Sequence, residues 1–379
     1  MFTEYYQNID SFNVPKTAVS NKLTNNEYSF FACMNSKNLL EIEKLGVELL
    51  KKYEKFVVIG CGGSINSGIT FNEINPANII FIDNIDPYST TKKIAEISNP
   101  EKTCVIVISK SGKSEEILVL YDIIIKKFKK TAEKLGQDNF LIITQLDQNP
   151  LHKLAIKNGN NLIPHASDIG GRFSYLSVVG LLIAKIAGLD IYEIQRGAQK
   201  SISEYLKNGT AKNIYCHQIA QEIKNGSLYA NICMIYNDQL MPFQVWLQQL
   251  WAESLGKDNL GSIPVAFSGT RDQHSQLQLY LANPKGKTFT LIRCEQLSGG
   301  NNKLKDAYHA HASNVLNSIQ KTEQVCREIV LTELDAYHLG ILMTNMVIET
   351  LICAEYMQVN PFGQSKVEEI KNKRLEDII

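Results

Sequence analysis

The sequence carries no excess charge of either sign: Lys plus Arg and Asp plus Glu both number 39, for a formal net charge of zero. That balance removes the electrostatic footprint expected of a protein that binds nucleic acid or an anionic membrane surface. The one basic cluster, Lys126, Lys127, Lys129 and Lys130, reads as the solvated end of a helix, where cations oppose the helix dipole. Cysteine pairs are missing as well. The eight cysteines are scattered, none forms a Cys-x-x-Cys pair, and no two are closer than Cys216 and Cys233. Several lie in apolar runs such as "CVIVIS" and "NICMIY", so they read as small buried hydrophobes in a reducing compartment, which argues against a zinc or disulfide framework. The opening "MFTEYYQNID" has no basic region followed by an apolar run, and no signal peptide is expected. Long apolar runs are interrupted too. The most apolar late segment, Ala336 to Met357, contains His338, Glu349 and Glu355 and is not expected to span a bilayer. The expectation is a cytosolic globular protein without nucleic-acid or membrane partners, and 379 residues favour two domains over one core.

Two nucleotide-binding signatures are also lacking. "SKSGKSEE" (109–116) ends its Gly-Lys-Ser like a P-loop, but the first glycine of that pattern would fall at Val107, inside the apolar run 104–108. "GCGGS" (60–64) resembles the start of a dinucleotide fingerprint, but its last glycine would fall at Ile65. Neither an NTP hydrolase nor a dinucleotide enzyme is supported.

What is present is a repeated rhythm. After a first segment (1–50), polar and then helical, short apolar runs alternate with amphipathic stretches. The runs are "KFVVIG" (55–60), "NIIFID" (78–83), "CVIVIS" (104–109) and "NFLIIT" (139–144), with helices expected near 65–75, 87–97, 114–132 and 149–158. Continuous rather than alternating hydrophobicity marks strands buried on both faces, hence a parallel sheet covered by helices. A second cycle follows: a buried helix over 173–188, strands at 228–237, 263–267 and 289–294, helices at 244–254 and 334–357, and a polar loop over 295–306. The fold class is therefore α/β, two doubly wound α-β-α sandwiches with mainly parallel sheets. The expected division is an N-terminal helical segment (1–50) packing on the second domain, a first domain over 51–190, and a second over 191–379.

Right-handed crossovers place every strand-to-helix loop on the carboxyl edge of the sheet, where ligands bind. Two small-residue loops lie there. The glycines of "GCGGS" let backbone amides approach a ligand, and Ser64 stands where a helix begins. In "SKSGKSEE", Ser109, Ser111 and Ser114 follow a strand, with Ser114 the expected helix N-cap. Four hydroxyls on neighbouring edge loops suggest a cradle for a monophosphate, with simple helix capping the other reading.

Six segments in order, "GCGGS", "SKSGKSEE", "GGRFSYLSVVGL" (170–181), "QQLWAESLGK" (248–257), "GTRDQHS" (269–275) and "NPFGQSKVEEIK" (360–371), resemble the signature segments of the glucose-6-phosphate isomerase family, also called the phosphoglucose isomerase family. The resemblance runs from about residue 55 to the C-terminus and implies two sugar-isomerase (SIS) domains in a short form. It implies that substrate phosphate rests on Gly63, Ser64, Ser109, Lys110, Ser111 and Ser114. It implies Glu253 as catalytic base, Arg172 beside the reacting oxygens, His274 and Lys371 as the pair that opens the sugar ring, and Gln249 and Gln364 lining the pocket. The family's histidine comes from the neighbouring subunit, so a homodimer with shared sites is implied. The reaction would interconvert glucose 6-phosphate and fructose 6-phosphate through a cis-enediol, in glycolysis and gluconeogenesis.

The chemistry suits those residue types. A carboxylate can take a proton from one carbon and return it to the next, and an always-charged guanidinium can stabilise an enediol oxyanion. A histidine of near-neutral pKa suits ring opening. No cofactor and no metal is expected; "HAH" (309–311) reads as two histidines near a polar loop. The match departs from the family at Ile117, where a threonine is usual, at Leu255, where an asparagine is common, and at "FGQSK". Two alternatives stay open at this stage: an isomerase that also accepts mannose 6-phosphate, and a non-catalytic sugar-phosphate sensor that keeps the serine loops but needs no base.

Overall fold

The computed structural model describes residues 2–9, 14–15, 17–132 and 134–371, the last three as backbone only. The strands in chain order are β1 (Phe2–Gln7), β2 (Lys55–Ile59), β3 (Ile79–Ile82), β4 (Thr103–Ile108) and β5 (Phe140–Thr144). They continue with β6 (Asn161–Pro164), β7 (Ala230–Ile235), β8 (Ile263–Ser268), β9 (Lys287–Cys294) and β10 (Cys326–Leu331). The chain forms two compact units, one of residues 29–191 with 364–379, the other of residues 1–28 with 192–363.

In the 29–191 unit the sheet order is β3-β2-β4-β5-β6, and every pairing is parallel. The apolar runs do what their composition demands. Val57, Ile59, Val105, Val107, Phe140 and Ile142 are fully buried, packed under Ile117, Leu120, Ile124 and Phe128 of the helix Glu115–Thr131. Strand β2 lies between β3 and β4, so the winding reverses direction there, and the carboxyl edge beside β2 and β4 is the topological switch point of a doubly wound sheet.

The other unit repeats the plan as β1-β10-β9-β7-β8, parallel except for β1, which adds antiparallel to β10. Strand β1 is held by its ladder to β10, by Tyr6 against Tyr215, and by buried charge. Glu4 accepts from Lys212 at 2.7 Å and lies 3.5 Å from Arg327, which in turn makes a paired bond to Glu349. Burying four charges costs desolvation, which their mutual pairing offsets. The helix Ala336–Met357 is long and apolar enough by composition to cross a membrane, but 94% of its most apolar window is buried as the core of this unit. Each of its polar interruptions has a partner: His338 with Asp335, Glu349 with Arg327, and Glu355 with the amide of Ala18.

The first fifty residues, expected as one helical segment on the second domain, are shared between the units. Residues up to 28 stay with the 192–363 unit. The amphipathic helix Ser36–Lys52 lies instead in the 29–191 unit, where it buries Leu39, Ile42 and Gly46. Gly46 sits against the stem of Lys185, whose ammonium bonds Glu43. The helix expected over 173–188 is broken. A tight turn, Gly171–Leu176, stops at Ser177, whose hydroxyl caps a new helix, Val178–Ile186. Five of the eight cysteines are buried, as the reading of small hydrophobes expects, while Cys33, Cys61 and Cys233 are half-buried; burial pushes the thiol of Cys104 up to about 12.

Candidate active site

The two loops that follow β2 and β4 flank the switch point. Ile59 pairs with Val107, so "GCGGS" and "SKSGKS" leave the sheet within two residues of the same level. Ser64 closes a single tight turn, Gly62–Ser64, and is half-buried; the helix Asn66–Ile74 starts just beyond it. Ser109 is 4% exposed, Ser111 is exposed, and Ser114 is half-buried. Ser114 does occupy the N-cap position of the helix Glu115–Thr131, but its hydroxyl makes no capping bond and stays available for another acceptor or donor.

The serine loop is pinned from behind. Gly112 adopts a left-handed φ of 60°, and a Cβ there would lie 1.7 Å from Asn149 Oδ1. Asn149 accepts from the amide of His152 at 2.9 Å and donates to the Gln145 carbonyl at 2.7 Å, while the amide of Leu151 donates to the Gly112 carbonyl. The Lys110 carbonyl accepts from the amide of Gln145. The turn after β5 is thus the template on which the loop after β4 is shaped.

The third segment, "GGRFS", packs against the first. A Cβ on Gly63 would stand 2.3 Å from Gly171 C and 2.4 Å from Arg172 N, so the two turns touch backbone to backbone. The Ser174 hydroxyl donates to the Gly171 carbonyl at 2.6 Å and lies 3.3 Å from the Gly63 carbonyl. Arg172 is 2% exposed; its guanidinium lies over the Phe173 ring and donates to Gln364 Oε1 at 3.4 Å. Lys110 is half-buried beside these loops. Burial pulls its pKa down, and the carboxylate of Asp168 pushes it back up. Gly63, Ser64, Ser109, Lys110, Ser111, Ser114, Arg172 and Gln364 therefore all belong to one unit. Ile117, where the family pattern has a threonine, is 1% exposed and part of the core under the sheet.

The remaining predicted residues lie in the other unit, apart from Lys371. Glu253 and Gln249 are one turn apart on the helix Met241–Leu255, and Gln249 donates to Glu253 Oε1 at 3.1 Å. Leu255 is fully buried at the end of that helix, and Lys257 donates to the Gly363 carbonyl at 2.7 Å, which ties "ESLGK" to the stretch of chain before Gln364. His274 is exposed and ends the short helix Gly269–Gln273 after β8. Lys371 ends the helix Ser365–Lys371, and its side chain lies outside the described residues.

Sequence reasoning overlooked the supporting shell: Asn149, Thr144, Ser174 and His165. "DQNP" (147–150) carried a signal, since Asn before Pro marks a helix start. It also overlooked one acidic cluster. Among the described residues, Glu333, Asp335 and His338 bring ligand atoms within 4.8 Å of one another, but Asp335 already caps the helix Ala336–Met357 through the amide of His338.

The phosphoglucose isomerase family model matches residues 47–317. A probable glucose-6-phosphate isomerase from Methanococcus maripaludis is 30% identical, with 95% of this chain and 87% of the relative covered. A glucose-6-phosphate isomerase from Rubrobacter xylanophilus is also 30% identical, over 76% of this chain and 71% of the relative. Among solved structures, a hypothetical protein from Thermus thermophilus superposes with a TM-score of 0.81 at 25% identity, covering 94% of both chains. A glucose-6-phosphate isomerase from Chlamydia trachomatis shares the fold at a TM-score of 0.77 and 18% identity, over 96% of this chain and 79% of that one. This chain belongs to the phosphoglucose isomerase family.

Proposed function

We propose that the protein interconverts glucose 6-phosphate and fructose 6-phosphate, moving one proton between C1 and C2 through a cis-enediol. The observation that carries this reading is the pair of small-residue turns at the switch point with the Arg172 backbone packed on Gly63, in a chain of this family. The substrate phosphate rests on the hydroxyls of Ser64, Ser109, Ser111 and Ser114, the Gly63 backbone and the Lys110 ammonium. Glu253 takes the proton from one carbon and returns it to the other, with Gln249 fixing its carboxylate. Arg172, oriented by Gln364, holds the charge that develops on the enediol oxygen. His274 and Lys371 serve ring opening. The deciding experiment is an assay that supplies fructose 6-phosphate and measures glucose 6-phosphate; no product at high enzyme concentration would overturn the reading. A cytoplasmic setting in glycolysis and gluconeogenesis accompanies it.

The phosphate contacts are remote from the carbons that react, so they chiefly set binding. Ser111→Ala and Ser114→Ala are each expected to raise KM about tenfold or more, the worth of a hydrogen bond to a charged group, with a smaller fall in kcat. Steady-state kinetics on each variant checks this, and an unchanged KM for both would remove the cradle.

A homodimer with shared sites is part of the same proposal, and the topology supports it. Glu253 lies near the end of the helix that leads into the amino end of β8, whereas His274 follows the carboxyl end. Six strand residues, roughly 20 Å, separate those two edges. On this reading one chain's Glu253 and His274 serve different pockets, each completed by the other subunit. Mixing equal amounts of inactive Glu253→Gln and His274→Ala proteins under conditions of subunit exchange should restore about a quarter of wild-type activity, because half of the dimers are mixed and each has one intact site. No recovery with proven exchange would point to pockets built from single chains.

A further inference from the structure

Among the described residues, one buried polar atom beside the serine loop has no counterpart. His165 follows β6 at the carboxyl edge and is 4% exposed, and its Nε2 is buried with no hydrogen-bond partner among the described residues. Its Nδ1 lies 2.9 Å from the Ala166 carbonyl. A carbonyl can only accept, so Nδ1 carries the proton and Nε2 presents a lone pair. A buried acceptor left unsatisfied is costly, and such groups mark places where something else is to be bound. The placement of His165 is set by Thr144: the His165 amide donates to the Thr144 carbonyl at 2.9 Å, and the Thr144 hydroxyl reaches the Lys110 carbonyl at 3.4 Å. Three successive strand ends, β4, β5 and β6, thus carry Lys110, Thr144 and His165 side by side at the edge where the phosphate loop lies.

Even with Arg172 of the adjoining turn counted, the charge balance of that edge is short of cations. A phosphomonoester brings nearly two negative charges at neutral pH. The loop after β4 offers Lys110 and the exposed Lys113, but the first turn of the following helix holds Glu115 and Glu116. The turn after β5 adds Asp147, bonded to Asn149 and within reach of the Lys113 charge, and His165's own loop adds Asp168. Of these groups it is Lys110 whose charge acts on the imidazole. Together with burial, the larger influence, it pushes the pKa of His165 below the usual histidine value, while the bond to Ala166 pushes the other way. Both push His165 toward the neutral form, and an arriving dianion that neutralises Lys110 removes one of the two restraints on its protonation.

We propose that His165 is a proton-accepting positioning residue of the phosphate site: as an oxyanion settles on the Ser109–Ser114 loop, Nε2 takes a proton from solvent, and the imidazolium helps hold the anion. The Nδ1 proton stays on the Ala166 carbonyl throughout. This rests on the phosphate-cradle reading of the same loops. The sign follows from linkage. Anion affinity rises as pH falls through the interval between the free and the anion-bound pKa of His165, by up to about tenfold per pH unit for one proton.

Sulfate is the probe that separates this from substrate titration, because it stays dianionic across the range. Calorimetric titration of the whole protein with sodium sulfate, in buffers of different ionisation enthalpy between about pH 5.5 and 8, should register proton uptake and an affinity that climbs toward low pH. His165→Asn keeps an amide donor near the Nδ1 position for Ala166 and removes the titrating nitrogen. It should still bind sulfate, with uptake abolished and the pH slope flattened. Uptake undiminished in that variant, or sulfate binding to the wild type without uptake, overturns the proposal while leaving the isomerase reading intact. Failure of sulfate to bind at all overturns the cradle and this proposal together. If the Asn variant does not fold, imidazole nitrogen spectra of the wild type decide: one buried histidine must pass from the Nδ1–H form to the doubly protonated form on adding sulfate, and none doing so refutes it.

Discussion

Glu253→Gln will lower kcat by about 10²–10⁴-fold, the usual worth of a positioned general base, with KM little changed. The amide matches the carboxylate in shape and can keep a hydrogen bond with Gln249, which now donates to Glu253 Oε1 at 3.1 Å. What it loses is the basic carboxylate proposed to take the proton from carbon, since an amide oxygen is too weak a base to do so. Because the proposed phosphate contacts belong to other residues, ground-state binding should survive, and the loss should appear in kcat and kcat/KM alike. Glu253→Asp offers a graded version: it retains the base but withdraws it by one methylene, and a misplacement of about 1 Å can by itself cost about 10²-fold. Glu253 is half-buried near the end of the helix Met241–Leu255, so neither change removes core packing, and thermal unfolding should move little. Near-wild-type turnover in the glutamine variant would assign the base elsewhere.

The sequence made most of the buried strands legible, but not the interior strand β10, whose apolar run is broken by Arg327 and Glu328, and it concealed the edges. Strands β2, β4 and β5 are buried on both faces and therefore appear as unbroken apolar runs. Strand β6, four residues with exposed ends, offers no such run, and β1 is fixed in part by Glu4 meeting Lys212 and Arg327, a charged contact that hydrophobic periodicity does not register. The polar stretch 295–306 hid a helix start, because Asn301 is itself the cap of Asn302–Gln320. The break at Ser177 was hidden for the opposite reason: the apolar residues continue through it, and only its capping hydroxyl marks the new helix. At the site, the glycine turns announced themselves because they are local. Asn149 under Gly112 and His165 beside Lys110 did not, because strand order brings them to the loop from later in the chain.

Gly63→Ala tests the contact on which the site's geometry turns, and its expected effect is a loss of about 10²-fold in kcat. The added methyl would stand 2.3 Å from Gly171 C and 2.4 Å from Arg172 N, and both are backbone atoms with no flexible chain end to swing aside. The turns 62–64 and 171–176 must therefore separate, and overpacking of this kind costs about 1–3 kcal/mol. The displacement falls on Arg172, whose guanidinium is set by the Phe173 ring and Gln364, and on the Ser174 hydroxyl that lies 3.3 Å from the Gly63 carbonyl. Stability and rate should fall together, with the rate falling further than the fraction of folded protein can explain. Gly170→Ala is the matched control in the same motif: its Cβ would meet only the Phe173 ring, at 3.5 Å, an ordinary contact. Unfolding curves and kcat for the pair separate the two contributions. If Gly63→Ala proved as active as Gly170→Ala, close approach between the first and third loops would not be what positions Arg172.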